Sequence, residues 1–490
     1  MNQSLIENSK FLENEKIIKQ NNFLKNIYYY FVKGGLYNIF IFKILDIISM
    51  LFVAVFTLFV FIILDWETIT MCGKTLHEDC KDINVYLTAK SFNEPNFFIV
   101  IILMFIIGLF SVSIYKTFIL RNIFKEFYKV DEYYRNVLKI KRNELYTKDW
   151  NDIIYGLNSD KNEIPIDLIS NIIVKNENYF IALCLNNVFK IPRNLLTKQL
   201  EFTLYNGLDP FVYTNKTINS IKNRLIFLGI LNLVLSPFIL IYIVVSFVFY
   251  NIDEIYLNKK VLGSRRYTQY FQWEVREYNE LSHYFNSRIN SSMKYGNLYI
   301  SQFTCMKSEM IAKFFGLISG AFIVLFLILS ILDENILLFV TFLDRSLLFY
   351  AGIFASISTI CRNLIKEPEN IIYEPEDIMR KVYKYTHYMP ENWVNKCDTY
   401  EVRDEFMNKF KYIIVLFLHD IIGVLTTPYL LIFVISKESC NISNFFAHNT
   451  TYIKNIGNIC KLSDFKNTEV NKKMRTSMLS YSENHPSWNK

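Results

Sequence analysis

The feature that most constrains this chain is an uncharged stretch of 28 residues, Leu225 to Ile252. A helix needs about 20 apolar residues to cross a bilayer, so this stretch is long enough for one crossing. Ser236 and Pro237 lie near its middle, however, and a proline inside a helix removes one hydrogen bond and clashes with the preceding turn. We therefore predict two half-helices that meet at Ser236 and Pro237, rather than one straight span.

The composition indicates a polytopic membrane protein. Hydrophobic residues make up 52% of the 490 residues, aromatic residues 17%, and the mean hydropathy is +0.18. The net charge of +7 is dispersed along the chain, which disfavours nucleic acid as a partner and favours binding at a membrane surface. Further uncharged runs predict four transmembrane helices; they are Ile47–Leu64, Phe97–Tyr115, Phe314–Leu332 and Ser346–Cys361.

The charges that flank these runs indicate the side of the membrane on which each loop lies. Loop 65–96 and the turn with Asp333, Glu334 and Asp344 are acidic, so the positive-inside rule places both in the lumen. Residues 253–313 contain nine basic residues. They are cytoplasmic only if the stretch from Leu225 returns to the side from which it entered. We therefore prefer a re-entrant hairpin to a span for residues 223–252.

A second apolar segment, residues 412–436, has the same character. It is interrupted by His419 and Asp420, and again by Thr426, Thr427 and Pro428. We predict a second re-entrant hairpin, hinged at Thr427 and Pro428. The predicted fold is all-α, with four transmembrane helices, two Pro-broken re-entrant hairpins and a helical cytoplasmic layer.

The predicted segments follow one another with both termini in the cytoplasm. The leader shows no cleavable signal and is expected to be partly disordered, so the first apolar helix targets the membrane. In chain order the segments are the leader (1–35), two transmembrane helices (36–120) around the lumenal loop (65–96), a cytoplasmic helical region (121–222), the first hairpin (223–252), a basic cytoplasmic segment (253–313), two transmembrane helices (314–362), a cytoplasmic helix (363–411), the second hairpin (412–436) and a cytoplasmic C-terminal segment (437–490).

Sequence motifs for covalent chemistry are not visible. We find no hydrolase triad, P-loop, dinucleotide-binding glycine pattern or metal-ligand cluster, so we expect neither an enzyme nor a cofactor or metal. Cys72 and Cys80 lie in the predicted lumenal loop, where an oxidising compartment permits a disulfide, and two free thiols are an equally good interpretation. Sequons at Asn290, Asn441 and Asn449 fall on the predicted cytoplasmic side, where no glycan is added.

Two groups of charged residues are candidates for function. Asp420 lies in apolar surroundings, and paired broken helices mark substrate sites in secondary transporters. The alternatives are a carboxylate that meets only water or a lysine, and helices that only anchor the protein at the membrane surface. A basic run either binds lipid phosphates or is a solvated face that sets topology; it consists of Lys259, Lys260, Arg265 and Arg266.

Five short stretches, taken together and in order, resemble one family. They are WEVREYNELSHYFNSRIN (273–290), ILDENIL (331–337), CRNLI (361–365), HYMPENW (387–393) and TTPYLLIF (426–433). This combination resembles the autophagy-related protein 9 family of multispanning membrane proteins. His485 and Pro486 with Trp488 are similar to the closing H-x-x-P-x-W of that family, with shorter spacing. The resemblance covers roughly residues 35–488.

The resemblance implies a function and an assembly. It implies a homotrimer with four transmembrane and two re-entrant helices per subunit, which scrambles phospholipids without ATP. It also implies a location on Golgi-derived vesicles, on endosomes and at the preautophagosomal membrane. The implied partners are phospholipids, a bridge-like lipid-transfer protein and other autophagy proteins. The alternatives are a secondary transporter or channel for small solutes, and a non-transporting scaffold that recruits autophagy proteins.

The resemblance also implies residues along the lipid path. In the family, a polar cavity at the trimer centre opens to the cytoplasmic leaflet and is lined in part by a basic-acidic triplet. The corresponding residues here are Asn258, Lys259 and Lys260, so the positive charge is kept and the acid is missing. A pore-facing threonine of the family lies near Thr359. The candidate lipid-path residues are therefore Lys259, Lys260, Arg265, Arg266, Thr359 and Arg362.

Overall fold

The computed structural model describes most of the chain. The described residues are 2–65, 68–69, 97–159, 165–207, 218–258, 264–303, 306–332, 334–343, 345–364, 373–454, 456–466, 471–486 and 488. Several residues singled out in the sequence lie outside these ranges: Cys72, Cys80, Lys259, Lys260, Asp333 and Asp344.

The described chain is mainly helical. Its first half contains α1 (Asn2–Lys33), α2 (Leu36–Leu58, continued as a π-helix over Phe59–Ile63), α3 (Phe97–Asn136), α4 (Trp150–Ser159), α5 (Ile166–Ile173), α6 (Lys175–Leu185), α7 (Lys198–Gly207) and α8 (Ile218–Asn258). Its second half contains α9 (Gln269–Val275), α10 (Ser282–Gln302), α11 (Met306–Leu332), α12 (Glu334–Phe339), α13 (Leu347–Leu364), α14 (Pro375–Thr386), α15 (Tyr400–Lys409), α16 (Ile413–Tyr429), α17 (Ser439–His448) and α18 (Lys472–Asn484).

Short antiparallel strand pairs connect some of these helices. The strands are β1 (Arg265–Tyr267), β2 (Thr341–Phe342), β3 (Arg345–Ser346), β4 (Phe410–Tyr412), β5 (Thr450–Ile453) and β6 (Gly457–Cys460). Strand β1 pairs with β4, so that Arg265 lies opposite Tyr412. The other two pairs, β2 with β3 and β5 with β6, are local hairpins.

Five helical segments of the described chain are long and apolar enough to cross a membrane. They are Leu36–Ile63, Ile99–Asn136, Ile218–Val248, Met310–Leu332 and Ile413–His448, and Leu347–Arg362 is a shorter apolar helix. All four runs predicted as transmembrane helices are therefore helical. Helix α2 packs along α3, and α11 packs along α13. Their exposed apolar side chains are typical of helices that face lipid.

Apart from α12, the other helices form one layer with three adjoining hydrophobic clusters. The segment from Tyr267 to Phe285 connects these clusters, because successive buried residues belong to different ones. Tyr278 packs into the first cluster, Leu281 into the second and Val275 into the third. We call this body the helical layer.

The second half of the N-terminal leader packs against this layer. Residues Asn2–Lys33 form helix α1, and Ile27 and Tyr30 on its second half are buried. The Tyr30 hydroxyl donates to Asp131 over 2.7 Å, and its ring stacks on Tyr134. The polar composition of the leader conceals this packing, because the few buried apolar residues are sufficient to anchor the helix.

The predicted break at Pro237 is wrong. Helix α8 runs without interruption from Ile218 to Asn258 and contains Pro237. Proline has no N–H for the carbonyl oxygen of Leu233, one turn earlier. The Ser236 hydroxyl donates to that oxygen instead, over 2.8 Å. Neighbouring hydroxyl groups can satisfy a freed carbonyl in this way, which allows a helix in apolar surroundings to pass through a proline.

The second predicted hinge also lies inside helical structure. Helix α16 includes Thr427 and Pro428, and the chain continues as a π-helix over Leu430–Val434 and a 3-10 helix over Ile435–Glu438. The Thr427 side chain is buried. Pro428 therefore changes the type of helix within one turn but does not separate two half-helices.

Both ends of this second apolar segment contact the helical layer. At its start, the Ile413 N–H donates to the Ser264 carbonyl over 3.0 Å, and Phe410 is buried in the third cluster. At its end, Leu431 and Ile435 are buried in the first cluster. Leu225, near the start of the apolar part of α8, lies in that cluster too.

Candidate functional site

Helix α7 lies against the two proline-containing apolar helices, α8 and α16. Its Leu200 and Leu204 are buried, and the N–H of Leu200 donates to the Thr197 hydroxyl over 3.4 Å. The approach to α16 is close at Gly423, where an added Cβ would lie 2.6 Å from the Cβ of Thr197. A residue larger than glycine would therefore push α7 away from α16.

This packing brings polar side chains of α7 to polar side chains of the apolar helices. Lys198 pairs with Asp420 of α16, with Nζ 3.0 Å from Oδ2, and its backbone N–H lies 3.4 Å from Oδ1. Gln199 donates to Oδ1 of Asn232 on α8 over 2.6 Å, and the Thr203 hydroxyl lies 3.5 Å from the same oxygen. We call Lys198, Gln199, Thr203, Asn232 and Asp420 the polar seam.

The polar seam lies well inside the apolar helices. Asn232 is eight residues beyond Arg224, and Asp420 is nine beyond Lys411. At about 1.5 Å per residue, Asn232 lies about 12 Å along α8 from Arg224. Lys411 lies on β4, and Asp420 is about 10 Å along α16 from its first residue, Ile413. The hydrocarbon core of a bilayer is about 30 Å thick. The polar contacts of the seam therefore lie within the apolar parts of both helices.

Asp420 and Asn232 are both buried in this arrangement. A buried polar group is costly unless it is hydrogen-bonded, and here each has a partner on α7. The structure therefore favours the alternative in which Asp420 meets a lysine. Our sequence reasoning missed Gln199, Thr203 and Asn232. The available signal was an isolated amide, Asn232, within an otherwise apolar run.

The predicted basic residues that the structure describes are both on strand β1. Arg265 stacks on the Tyr412 ring, with its guanidinium carbon 4.0 Å from the ring centroid, and donates to the Tyr412 hydroxyl over 2.5 Å. Arg266 lies opposite Lys411 in the strand register. Both arginines are half-buried. They therefore lie at the start of α16, on the side of the helical layer.

Thr359 and Arg362 lie on a different element, α13. The Thr359 hydroxyl donates within its own helix, to the Ala355 carbonyl over 2.8 Å. Arg362 is exposed, one residue after the buried Cys361. The contacts of Thr359 thus stay within α13, whereas those of Arg265 go to Tyr412.

A second ionic feature joins the first two apolar helices. Lys116 of α3 pairs with Asp46 of α2 at 2.7 Å, and its Nζ is 3.2 Å from the Met50 sulfur. Both charged side chains are partly exposed. Charged residues within apolar helices are rare and are often functional.

Outside the apolar helices, a buried network stabilises the layer around the motif at 273–290. Glu277 accepts from the Ser477 hydroxyl over 2.7 Å and pairs with Lys473 at 3.1 Å and with His387 at 3.3 Å. Burial raises the pKa of Glu277, but Lys473, His387 and other neighbours outweigh burial and lower it to about 2. The network therefore links α18 and His387, which follows α14, to Glu277 in the segment before α10.

Two histidines lie nearby in the same layer, His485 buried and His283 half-buried. His485 approaches Asn151, with Nδ1 2.6 Å from Oδ1, and His283 approaches the Tyr28 hydroxyl at 2.9 Å. Burial lowers the pKa of each histidine to about 4. Both rings are therefore neutral at pH 7. His485 belongs to the closing motif, so that motif packs against the layer.

These features define a class of protein, a multi-pass helical membrane protein with a folded layer on which its apolar helices converge. The family model described as "Autophagy protein ATG9" matches residues 13–466. The chain therefore belongs to the ATG9 family of autophagy proteins.

Curated relatives agree with this assignment. The chain is 31% identical to autophagy-related protein 9 of Dictyostelium discoideum, over 91% of this chain and 67% of that protein. It is 29% identical to the Saccharomyces cerevisiae protein of the same name, over 90% of this chain and 47% of that protein. The chain thus spans about half to two thirds of the length of these relatives.

A solved structure has the same fold. The cryo-EM structure of Schizosaccharomyces pombe Atg9 matches with a TM-score of 0.63 and 27% identity, over 91% of this chain and 98% of that chain.

Proposed function

We propose that the protein is an ATP-independent phospholipid scramblase of autophagy, which equilibrates lipids between leaflets on vesicles that seed and expand the autophagosome membrane. The observation that carries this proposal, beyond family membership, is the polar seam. It places an ion pair and amide hydrogen bonds beside helices that are otherwise apolar.

The physical reason is the cost of moving a headgroup through hydrocarbon. A charge at the bilayer centre costs at least about 2.5–3.5 kcal/mol on insertion scales. The exposed Lys198 and the half-buried Gln199 of the seam replace part of the water that the headgroup loses, while the buried Asp420 and Asn232 hold them in position, and so lower the barrier. The acyl tails remain in lipid, and the concentration gradient alone sets the direction.

The proposed path begins at the layer. Arg265 and Arg266, together with Lys259 and Lys260, attract lipid phosphate, because guanidinium groups form strong hydrogen bonds with phosphate oxygens. Arg265 already has a fixed position on Tyr412. We assign Thr359 and Arg362 to a later part of the path, on the basis of their similarity to family positions.

The proposed topology has four transmembrane and two re-entrant helices, with both termini cytoplasmic. Its support is that the chain enters and leaves both proline-containing segments at the helical layer. Leu225 of α8 lies in the first cluster and Tyr267, which follows α8, lies in the third, while α16 begins after Phe410 of the third cluster and is followed by Ile435 of the first. If both ends of an apolar helix contact the same layer, the chain re-emerges on the side of the membrane from which it entered. The helical layer is then cytoplasmic.

We infer the assembly and the partners from the family. The proposed state is a homotrimer on Golgi-derived vesicles, on endosomes and at the preautophagosomal membrane, and a bridge-like lipid-transfer protein supplies lipid to it. The exposed apolar surfaces of the helices are compatible with both lipid and neighbouring subunits.

The test is a dithionite assay on purified protein in liposomes that contain fluorescent phospholipid, without ATP. We expect dithionite to quench fluorescence beyond the outer-leaflet fraction. Liposomes without protein give the leakage control. If quenching stops at the outer leaflet for folded protein, the scaffold alternative takes precedence.

A specific observation supports the alternative of a solute transporter or channel. The Asp46–Lys116 pair is partly exposed on apolar helices, as ion-coupling residues often are. This alternative requires saturable solute flux that Asp46→Asn abolishes. Lipid scrambling with no such flux would exclude it.

A further inference from the structure

The connection between α11 and α13 contains Asp333, Glu334 and Asp344, and between these acids it has an uncharged run over residues 335–343. It contains α12, then strands β2 and β3, which form a hairpin. The opposite ends of α11 and α13 lead into the helical layer, since Phe303 before α11 and Ile378 after α13 are buried in its third cluster. We call residues 340–343 and 345 the far loop, because they lie at the end of the helix pair remote from that layer.

Three exposed residues of the far loop are large and hydrophobic. Leu343 is 77% exposed, and Phe342 and Val340 are exposed as well. In the last turn of α11, Ile331 is 84% exposed as well. An apolar patch that continues from helices of membrane length marks contact with lipid rather than with water.

Leu343 occupies a backbone conformation that leucine rarely adopts. It follows the last residue of β2 and has a φ of +48°. Glycine and asparagine are the usual residues at such turn positions. In water, a leucine here would expose its side chain and strain its backbone together. Lipid around the side chain removes the cost of exposing it to water.

The far loop is hydrogen-bonded to α13. The Tyr350 hydroxyl donates to the Phe342 carbonyl over 2.9 Å, and the two rings make an edge contact at 5.7 Å. The Leu347 N–H donates to the Val340 carbonyl over 3.1 Å. These bonds fix the apolar residues in place and satisfy backbone groups that could not meet water inside lipid.

The length of α13 places the far loop near hydrocarbon. Its 18 residues span about 27 Å, less than the roughly 30 Å of the hydrocarbon core. If α13 spans the membrane, as proposed above, the residues directly before Leu347 lie at the border of the hydrocarbon core rather than clear of it. Arg345 packs over the Phe349 ring, with its guanidinium carbon 5.6 Å from the centroid, and remains exposed.

We propose that the far loop inserts into the leaflet opposite the helical layer. Val340, Phe342 and Leu343 contact the upper acyl chains, about 5–10 Å below the headgroups, as apolar faces of interfacial segments do. Arg345 lies at the phosphate level, because long basic side chains extend toward the interface. The loop then anchors the α11–α13 pair at a fixed depth, whether or not the protein moves lipid.

Depth-dependent quenching tests this proposal. Leu343→Cys in the full chain is labelled with the environment-sensitive fluorophore NBD and reconstituted into phosphatidylcholine vesicles. Doxyl-labelled lipid then quenches probes in the bilayer, and iodide on both faces quenches probes in water. Leu479→Cys is the control, since Leu479 is 67% exposed on α18 in the layer. Labelled wild-type protein gives the background from native cysteines.

We expect doxyl lipid to quench the probe at position 343 several-fold more than at position 479, and iodide to do the reverse. Strong iodide quenching at both positions would overturn the proposal and place the loop in water. Protection of position 343 from both quenchers would also overturn it, because the loop would then be buried against protein.

A second variant separates insertion from local folding. Leu343→Asn keeps a residue that tolerates positive φ but removes the apolar side chain. With the probe at Val340→Cys, this change should shift quenching from doxyl lipid toward iodide, and Leu343→Met should not. Equal quenching in the two backgrounds would show that Leu343 does not hold the loop in the bilayer.

Discussion

The Ser236 hydroxyl should be essential to α8 only while Pro237 is present. Ser236→Ala removes the 2.8 Å bond to the Leu233 carbonyl, and Pro237 cannot replace it. An unsatisfied carbonyl in apolar surroundings costs about 1–3 kcal/mol, so we expect the free energy of unfolding to fall by that amount. Pro237→Ala restores an N–H that can bond to Leu233. In that background Ser236→Ala should cost about nothing.

A double-mutant cycle measures this coupling. Thermal unfolding of the wild type, both single variants and the double variant is followed by tryptophan fluorescence in the same detergent. We expect Ser236→Ala to lower Tm clearly in the wild type and negligibly in the Pro237→Ala background. An equal loss of Tm in both backgrounds would refute the reasoning, because the hydroxyl would then act on something other than the carbonyl freed by proline.

Other predictions concern close packing and pH. Gly423→Ala should destabilise the protein by about 1–3 kcal/mol through overpacking, since the added Cβ would meet Thr197 at 2.6 Å. The control is Gly352→Ala, which has open space around it and should leave Tm unchanged in the same thermal unfolding experiment. His485 is buried with its pKa lowered to about 4, so the unfolded chain binds more protons below pH 6.5. Stability should therefore fall as pH drops from 6.5 to 4, by at most about 1.4 kcal/mol per unit for this group. His485→Asn should flatten the plot of Tm against pH over this window, and an unchanged slope would contradict the assignment.

Local sequence patterns were sufficient to predict where the apolar helices lie. Uncharged runs of 16 to 28 residues have few alternatives to a helix in a membrane, and all of them are helical in the structure. The effect of Pro237 could not be predicted from helix rules alone. It depends on whether the preceding serine adopts the rotamer that reaches the freed carbonyl, as Ser236 does.

The polar seam was beyond sequence reasoning for a different reason. Gln199 and Asn232 are 33 residues apart, and Lys198 and Asp420 are 222 apart. No local pattern links residues at such separations. Asp420 could be identified as an anomaly in an apolar segment, but its partner depends on the packing of α7. The motif at 273–290 was recognised as a family feature, and the structure adds its physical role in joining three hydrophobic clusters.

The measurement that tests the account most directly is the scrambling rate of a variant with an apolar seam. Gln199→Leu with Asn232→Leu removes the amide pair and keeps similar volume. Asn206→Leu, at an exposed position of the same helix, is the matched control. We predict that the double variant scrambles at least about tenfold more slowly, equivalent to about 1.4 kcal/mol of barrier, and that the control keeps the wild-type rate. A folded double variant with the wild-type rate would contradict a lipid path along the seam.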